Sequence, residues 1–370
     1  MNDAEELISK LGRTTHPEKQ VTLDLSECHY IDVGAGSLIG NAIRPYGQAS
    51  KLMVIVPSIT NEKDFSGKWF LTFTRSGLGV AIAEYASTII SNEVDVTALV
   101  KNYYSLKANT STNNLVFIRD IHLGSNVNVD NINDFLPVFY EWLGNVNVNS
   151  DTVNDINHDS IVQLCFEGLQ NIFDHANKKP LPTGTPILSY FSLRYYKGIG
   201  DGEWPATFKN YLERLREMDI INNSSFIEIV VNDDGVGMAA RQSLRHGIYW
   251  GSLEREKEAL DNSLASGSVK TRTNDTTVRG DPGRGYNNIA SSLRKLNAFA
   301  SLRTGRILVT FNGCVKITMG TGWIETKAKH GLLHGYVPGT SLRIILPIIK
   351  PSIISQSRER PDNQGQMDLL

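Results

Sequence analysis

The side chains best suited to do chemistry lie in the stretch SIVQLCFEGLQNIFDHA, residues 160–176, which reads as one helix. At about 100° per residue, Glu167, Asn171, Asp174 and His175 fall at i, i+4, i+7 and i+8 and share a stripe. Acid, amide, acid and imidazole in a row can accept protons and ligate a cation. The other side carries Ile161, Val162, Cys165, Phe166, Leu169, Ile172, Phe173 and Ala176, the pattern of a helix pinned to a core. Taken alone, the stripe reads first as a solvated helix face. Sequence further along changes that balance.

The strand SFIEIVVND, residues 225–233, stops at the turn Asp233-Asp234-Gly235-Val236-Gly237-Met238. An aspartate at the end of a buried strand can accept a hydrogen bond from an exocyclic amine. Glycines directly after it let the backbone pass close to a flat ring without a Cβ clash, although Asp-Gly is also common in ordinary turns. From 239 to 282 the chain becomes polar: a short helical piece, the charged LEREKEAL, then ASGSVKTRTNDTTVRGDPGRG. Nothing in that stretch is expected to pack a core, and the flanking glycine motifs favour a lid over a ligand rather than a disordered insertion. Gly283-Arg284-Gly285 then opens a helix over 286–296, which puts glycine amides and a positive helix end where phosphate oxygens can sit. Residues 307–311 and 315–319 read as a hairpin. Gly339-Thr340-Ser341 leads into the strand LRIILP, where the Thr340 hydroxyl can meet the same ligand as Asp233.

In this order, the four pieces resemble the GHKL (Bergerat-fold, histidine-kinase-like) family of ATP-binding domains: gyrase B, the mismatch-repair ATPases, the heat-shock-90 chaperones, sensor histidine kinases and anti-sigma-factor serine kinases. The resemblance spans residues 155–347. It implies that Glu167 takes the place of the acid that activates the attacking water and Asn171 that of the amide that binds Mg2+. It further implies that Asp233 holds the adenine amino group with Thr340 assisting through water, that Gly235, Gly237 and Met238 line the base, and that Gly283, Arg284 and Gly285 meet the phosphates. Asp174 and His175 fall at the pocket rim. The implied fold is an α/β sandwich with a mixed sheet, helices on one face, and ATP between the two under a lid at 239–282. Some features depart from the family. The box GRGYNNI has fewer glycines than the histidine-kinase pattern, the lid lacks that group's aromatic box, and no phosphoacceptor helix comes before it. His122, in IRDIHLGSN, sits beside a glycine and away from any amphipathic helix, so it reads as structural and the histidine-kinase reading fails.

A second α/β module is expected upstream. A short helix over 4–11 is followed by VTLDLSE, in which Val21, Leu23 and Leu25 alternate with polar residues. A helix through Leu38, Ile39, Ala42 and Ile43 leads to the apolar strand LMVIVP, which together suggest a βαβ unit. A helix over 76–87 with Leu78, Ala81, Ile82 and Tyr85 inward completes it. LDLSECHYIDVGAGSLIGNAI makes this part resemble the STAS domain of anti-sigma-factor antagonists. That family's turn reads Asp-Ser-Ser-Gly around a phosphorylatable serine, whereas this chain has Asp32-Val33-Gly34-Ala35. The implied role is docking or dimerisation without the phosphoswitch. The expected division is therefore a STAS-like module at 1–105, the ATP-binding domain at 106–350 and a polar tail at 351–370. KANTSTNN marks the joint, a strand lies at 115–118, a helix at 132–143, and Asp159 or Ser160 caps the acidic helix.

Composition narrows the partners. The 370 residues are 41% hydrophobic with a formal net charge of −2, which suits packed domains and argues against nucleic acid as the main ligand. The acidic start lacks the order of a signal peptide and no run reaches bilayer length, so a cytoplasmic protein is expected. Cys28, Cys165 and Cys314 lie far apart in apolar stretches, as reduced thiols do. Three functions fit. The first is an ATP-driven conformational switch with slow hydrolysis, regulating a protein partner or acting through a homodimer formed on ATP binding. The second is a serine/threonine kinase of the anti-sigma type acting on a STAS-like partner. The third is a module that holds ATP without turnover.

Overall fold

The computed structural model describes residues 7–8, 11, 20–28, 31, 33–48, 51–59, 64, 73, 77–106, 109–112, 115–119, 141, 155–171, 188–199, 204–221, 225–235, 237–238, 252–264, 285–315, 322–326 and 335–348. The expected helix at 132–143, His122 and the tail at 351–370 lie outside the described residues, apart from Glu141 in that helix.

Two sheets organise the mixed α/β chain. The first has four strands in sequence order, β1 (Val21–Asp24), β2 (Leu52–Ile55), β3 (Thr88–Ser91) and β4 (Val94–Asp95). β1, β2 and β3 run parallel, joined by α1 (Val33–Gln48) and α2 (Leu78–Tyr85), so the expected βαβ unit is present. α3 (Thr97–Leu106) closes this part. Val21 and Leu23 point inward while Thr22 and Asp24 stay exposed, as a half-covered strand requires. Leu78, Ala81, Ile82 and Tyr85 are all buried on the inner side of α2.

The second sheet has eight strands: β5 (Asn109–Thr112), β6 (Leu115–Arg119), β7 (Ser189–Tyr196), β8 (Ser225–Asp233), β9 (Phe299–Gly305), β10 (Ile307–Asn312), β11 (Trp323–Glu325) and β12 (Val337–Ile348). Their order is β11-β10-β9-β12-β8-β7-β6-β5. Every pairing among the described residues is antiparallel, which corrects the expectation of a mixed sheet. Strands consecutive in the chain, such as β7 and β8 or β9 and β10, pair directly, and β12 enters between β8 and β9 antiparallel to both.

Helices cover both faces, a second correction. α4 (Asp155–Asn171), α6 (Leu253–Leu264) and α7 (Gly285–Lys295) pack on the face that carries Ile227, Ile229 and Val231 of β8. The alternate residues Phe226 and Val230 are equally apolar and need cover as well. α5 (Ala206–Glu217) brings Phe208, Tyr211 and Leu215 against Phe226, Phe299 and Ile345, and α1 lies against β12 and β8. One core therefore joins Leu38, Ile39 and Ile43 of α1 to Leu188, Tyr190, Val230 and Val337 of the larger sheet. The chain changes sheet near residue 105, but its core is continuous across that point.

Two local expectations are also corrected. α6 lies within the segment read as unable to pack a core, yet Ala259, Leu260 and Leu264 are buried, and buried Glu256 pairs with Arg306 at 2.8 Å. A short helix need only supply one apolar stripe, and LEREKEALDNSL has one at i, i+1 and i+5. β10 pairs with β9, through the tight reversal at Gly305 (φ +55°), and with β11, while 316–319 of the expected hairpin lie outside the described residues. α4 begins at Asp155, so Asp159 and Ser160 lie inside it instead of capping it. Among the described residues no helix is long and apolar enough to cross a membrane.

Candidate functional site

α4 is anchored by Ile161, Leu164, Cys165 and Leu169, each 0–1% exposed. Burial of such aliphatic side chains contributes about 1.5–3 kcal/mol apiece. Gly168 brings the helix close to the sheet, since a Cβ there would stand 2.7 Å from Val231 Cγ2. The neighbouring Glu167 is thereby held in a fixed place and buried. Its Oε1 accepts hydrogen bonds from Gln163 Nε2 and Asn288 Nδ2, both at 2.7 Å. Oε2 faces the first residue of α7: a Cβ added to Gly285 would lie 3.0 Å from it and 3.7 Å from Asn171 Oδ1. The carboxylate thus sits at the positive end of α7, a favourable place for negative charge. Asn171, one turn beyond Glu167, has a buried Nδ2 with no hydrogen-bond partner among the described residues. Glu167 is therefore part of a packed polar cluster and not of a solvated stripe.

The second half of the site is the turn after β8. Asp233 Oδ1 accepts from Gly235 N at 2.9 Å, and the backbone N–H of Thr340 also reaches the carboxyl. Thr340 stands directly opposite Asp233 in the β8/β12 register. Burial pushes the Asp233 carboxyl up to about 7, with the charge of Asp234 adding to the effect and the two backbone donors and Arg44 opposing it. Gly339 adopts φ +75°, and a Cβ there would meet Asp233 O at 1.9 Å, so only glycine allows this approach. Gly237, at φ +80°, would meet Thr304 Oγ1 at 2.8 Å and Gly339 O at 2.9 Å. Its glycine is demanded by these protein atoms. Thr304 Oγ1 accepts from Met238 N at 2.9 Å and donates to Gly339 O at 3.1 Å, tying the turn to β9 and β12.

The start of α7 spans the two halves. Gly285 abuts Glu167, while the hydroxyl of Tyr286 donates to Met238 Sδ at 3.1 Å in the Asp233 turn. Burial raises the Tyr286 hydroxyl well above its usual value, and the nearby Asp233 charge raises it further.

No family model, no curated protein and no solved structure matches this chain. Of the positions singled out from sequence, Glu167, Asn171, Asp233, Gly235, Gly237, Met238, Gly285 and Thr340 come together around the start of α7. Asp174, His175, Gly283 and Arg284 lie outside the described residues. Sequence reading missed Gln163, Asn288 and Tyr286. Gln163 precedes Glu167 by four residues and Asn288 follows Gly285 by three, so helical spacing marks both. Thr304 was missed because its strand, β9, was not anticipated.

Proposed function

We propose that the chain is a GHKL-type protein that binds Mg-ATP, hydrolyses it slowly and acts as a conformational switch, with a STAS-like module at its N-terminal end. The observation that carries this reading is the path of α7, whose first two residues touch the acidic helix on one side and the Asp233 turn on the other. A triphosphate nucleotide needs such a link between a base site and an acid.

The residues fit the ligand. Asn171 carries a buried amide with an unused hydrogen-bonding group, and a 180° turn of that amide presents its oxygen, the end a cation takes. Gly285 leaves room beside Glu167 Oε2 where any side chain would intrude. Bound magnesium would supply positive charge to the phosphate oxygens. Glu167 has both neighbouring amides on Oε1, which leaves Oε2 to accept the proton of a water that bonds to the γ-phosphorus as the bond from that phosphorus to the bridging oxygen breaks and ADP leaves. Asp233 accepts a hydrogen bond from the adenine amine, and the α7 N-terminus faces negative charge.

Phosphorylation of the attached module has less support. Ser37 is fully buried, donates to Gly34 O at 2.8 Å and shares a hydrogen bond with Ser341, so it offers no acceptor hydroxyl. The test is γ-labelled ATP with magnesium. Free phosphate that falls at least a hundredfold in Glu167→Gln supports the switch, within the range general-base removal usually costs. Label retained on protein would favour the kinase, and binding without either product would favour passive ATP holding.

A further inference from the structure

Behind Asp233, on the sheet face opposite α4 and α7, α1 presents Ser37, Asn41 and Arg44 at i, i+4 and i+7. All three are buried, at 0%, 1% and 4% exposure. Asn41 and Asn232 exchange amide hydrogen bonds at 3.1 and 2.9 Å. The same Asn41 Nδ2 donates to Asp233 O at 2.9 Å. Arg44 pairs with Asp234 Oδ1 at 3.3 Å, and the Tyr85 hydroxyl of α2 donates to Asp234 Oδ2. Asp234 also takes the backbone N–H of Leu188 at 2.7 Å. Residues on α1 and α2 thus grip three consecutive residues of the turn, 232–234, from the rear, while the Asp233 carboxyl points toward Gly235 and Thr340 on the site side.

We infer that Asn41, supported by Arg44, is a positioning residue for recognition of the nucleotide base: the N-terminal module fixes the backbone from which the Asp233 carboxyl projects. The inference rests on the nucleotide reading given above. A hydrogen bond to the Asp233 carbonyl fixes the peptide plane next to the carboxyl-bearing carbon. Losing it lets the turn rotate while leaving Glu167, Asn171 and Gly285 untouched on the far side of the sheet. The base half of the site should therefore depend on Asn41, and the phosphate half should not. Coupling of this kind is reciprocal, so nucleotide must also steady α1.

The test uses the full chain, titrated with Mg-ATP and separately with magnesium tripolyphosphate, which lacks the base. Asn41→Ala is expected to weaken ATP about tenfold and to leave tripolyphosphate within twofold. An equal loss for both ligands, as from a merely structural defect, or an ATP affinity within twofold of wild type, overturns the proposal. Hydrogen exchange on the wild-type chain gives a readout independent of how the variant folds. Added Mg-ATP is expected to slow exchange of the α1 amides around Asn41, and unchanged exchange there overturns the inference. ATP binding that is lost in Asp233→Asn but keeps its strength in Asn41→Ala sinks this inference alone. A wild-type chain that does not bind ATP sinks the underlying reading along with it.

Discussion

The two buried carboxyls of the candidate site have different surroundings. Glu167 meets two amide donors and stands against the N-terminus of α7. Asp233 is raised to about 7 by burial, so near neutrality a large share of it is protonated. A ligand that donates to its carboxylate stabilises the charged form and must therefore release a proton on binding below that value. ATP affinity is accordingly expected to strengthen as pH rises from 6 to 8, and calorimetry in buffers of different ionisation enthalpy should register the released proton. Asp233→Asn removes the charged acceptor and should weaken ATP by about 1–3 kcal/mol with no such pH trend. An Asp233→Asn protein that bound ATP at full strength would rule out Asp233 as the acceptor for the adenine amine.

At the scale of elements, α7 and α6 make opposite predictions. Gly285 opens α7 against the Glu167 carboxylate, and an added methyl group there would meet the far end of a flexible side chain. Gly285→Ala should leave thermal stability within about 1 kcal/mol, because alanine favours the helix. It should still cut nucleotide affinity and phosphate release by crowding the space beside Oε2. A variant that loses stability and affinity together would point to packing rather than to the site. α6 is core material: Leu260 is 1% exposed and joins the cluster that includes Ile289 and Leu293 of α7. Leu260→Ala should cost about 2–5 kcal/mol in denaturant unfolding. A cost well under 1 kcal/mol would return this helix to the lid in which its charged sequence first placed it.

Across the whole molecule, the join between α1 and the larger sheet buries two carboxyls side by side. Asp234 is raised to about 6 by burial, with Arg44, Tyr85 and the Leu188 amide opposing, and Asp233 to about 7. Folded values above the unfolded one mean that their contribution to stability is complete below about pH 4 and is lost as pH rises through 6 and 7. Asp233→Asn, which cannot ionise, should therefore gain melting temperature relative to wild type as pH rises from 5 to 8. A difference that stays flat over that range would mean the Asp233 carboxyl is already charged in the folded protein.

The sequence alone determined the pieces whose signal is local. The 3.6-residue period of SIVQLCFEGLQN marked α4, and the run FIEIVVN ahead of Asp-Asp-Gly marked β8 and its turn. Even Ser37, Asn41 and Arg44 show helical spacing, but nothing local says that they are buried. Only the tertiary structure decided that a stripe from one end of the chain backs a turn some 190 residues later, with Asn41 and Asp233 separated by |i−j| = 192. Strand direction, cover on both sheet faces and the meeting of Gly285 with Glu167 were likewise settled by long-range packing. Periodicity fixes which side of an element is apolar, whereas the identity of the surface that covers it depends on every other element competing for the same burial.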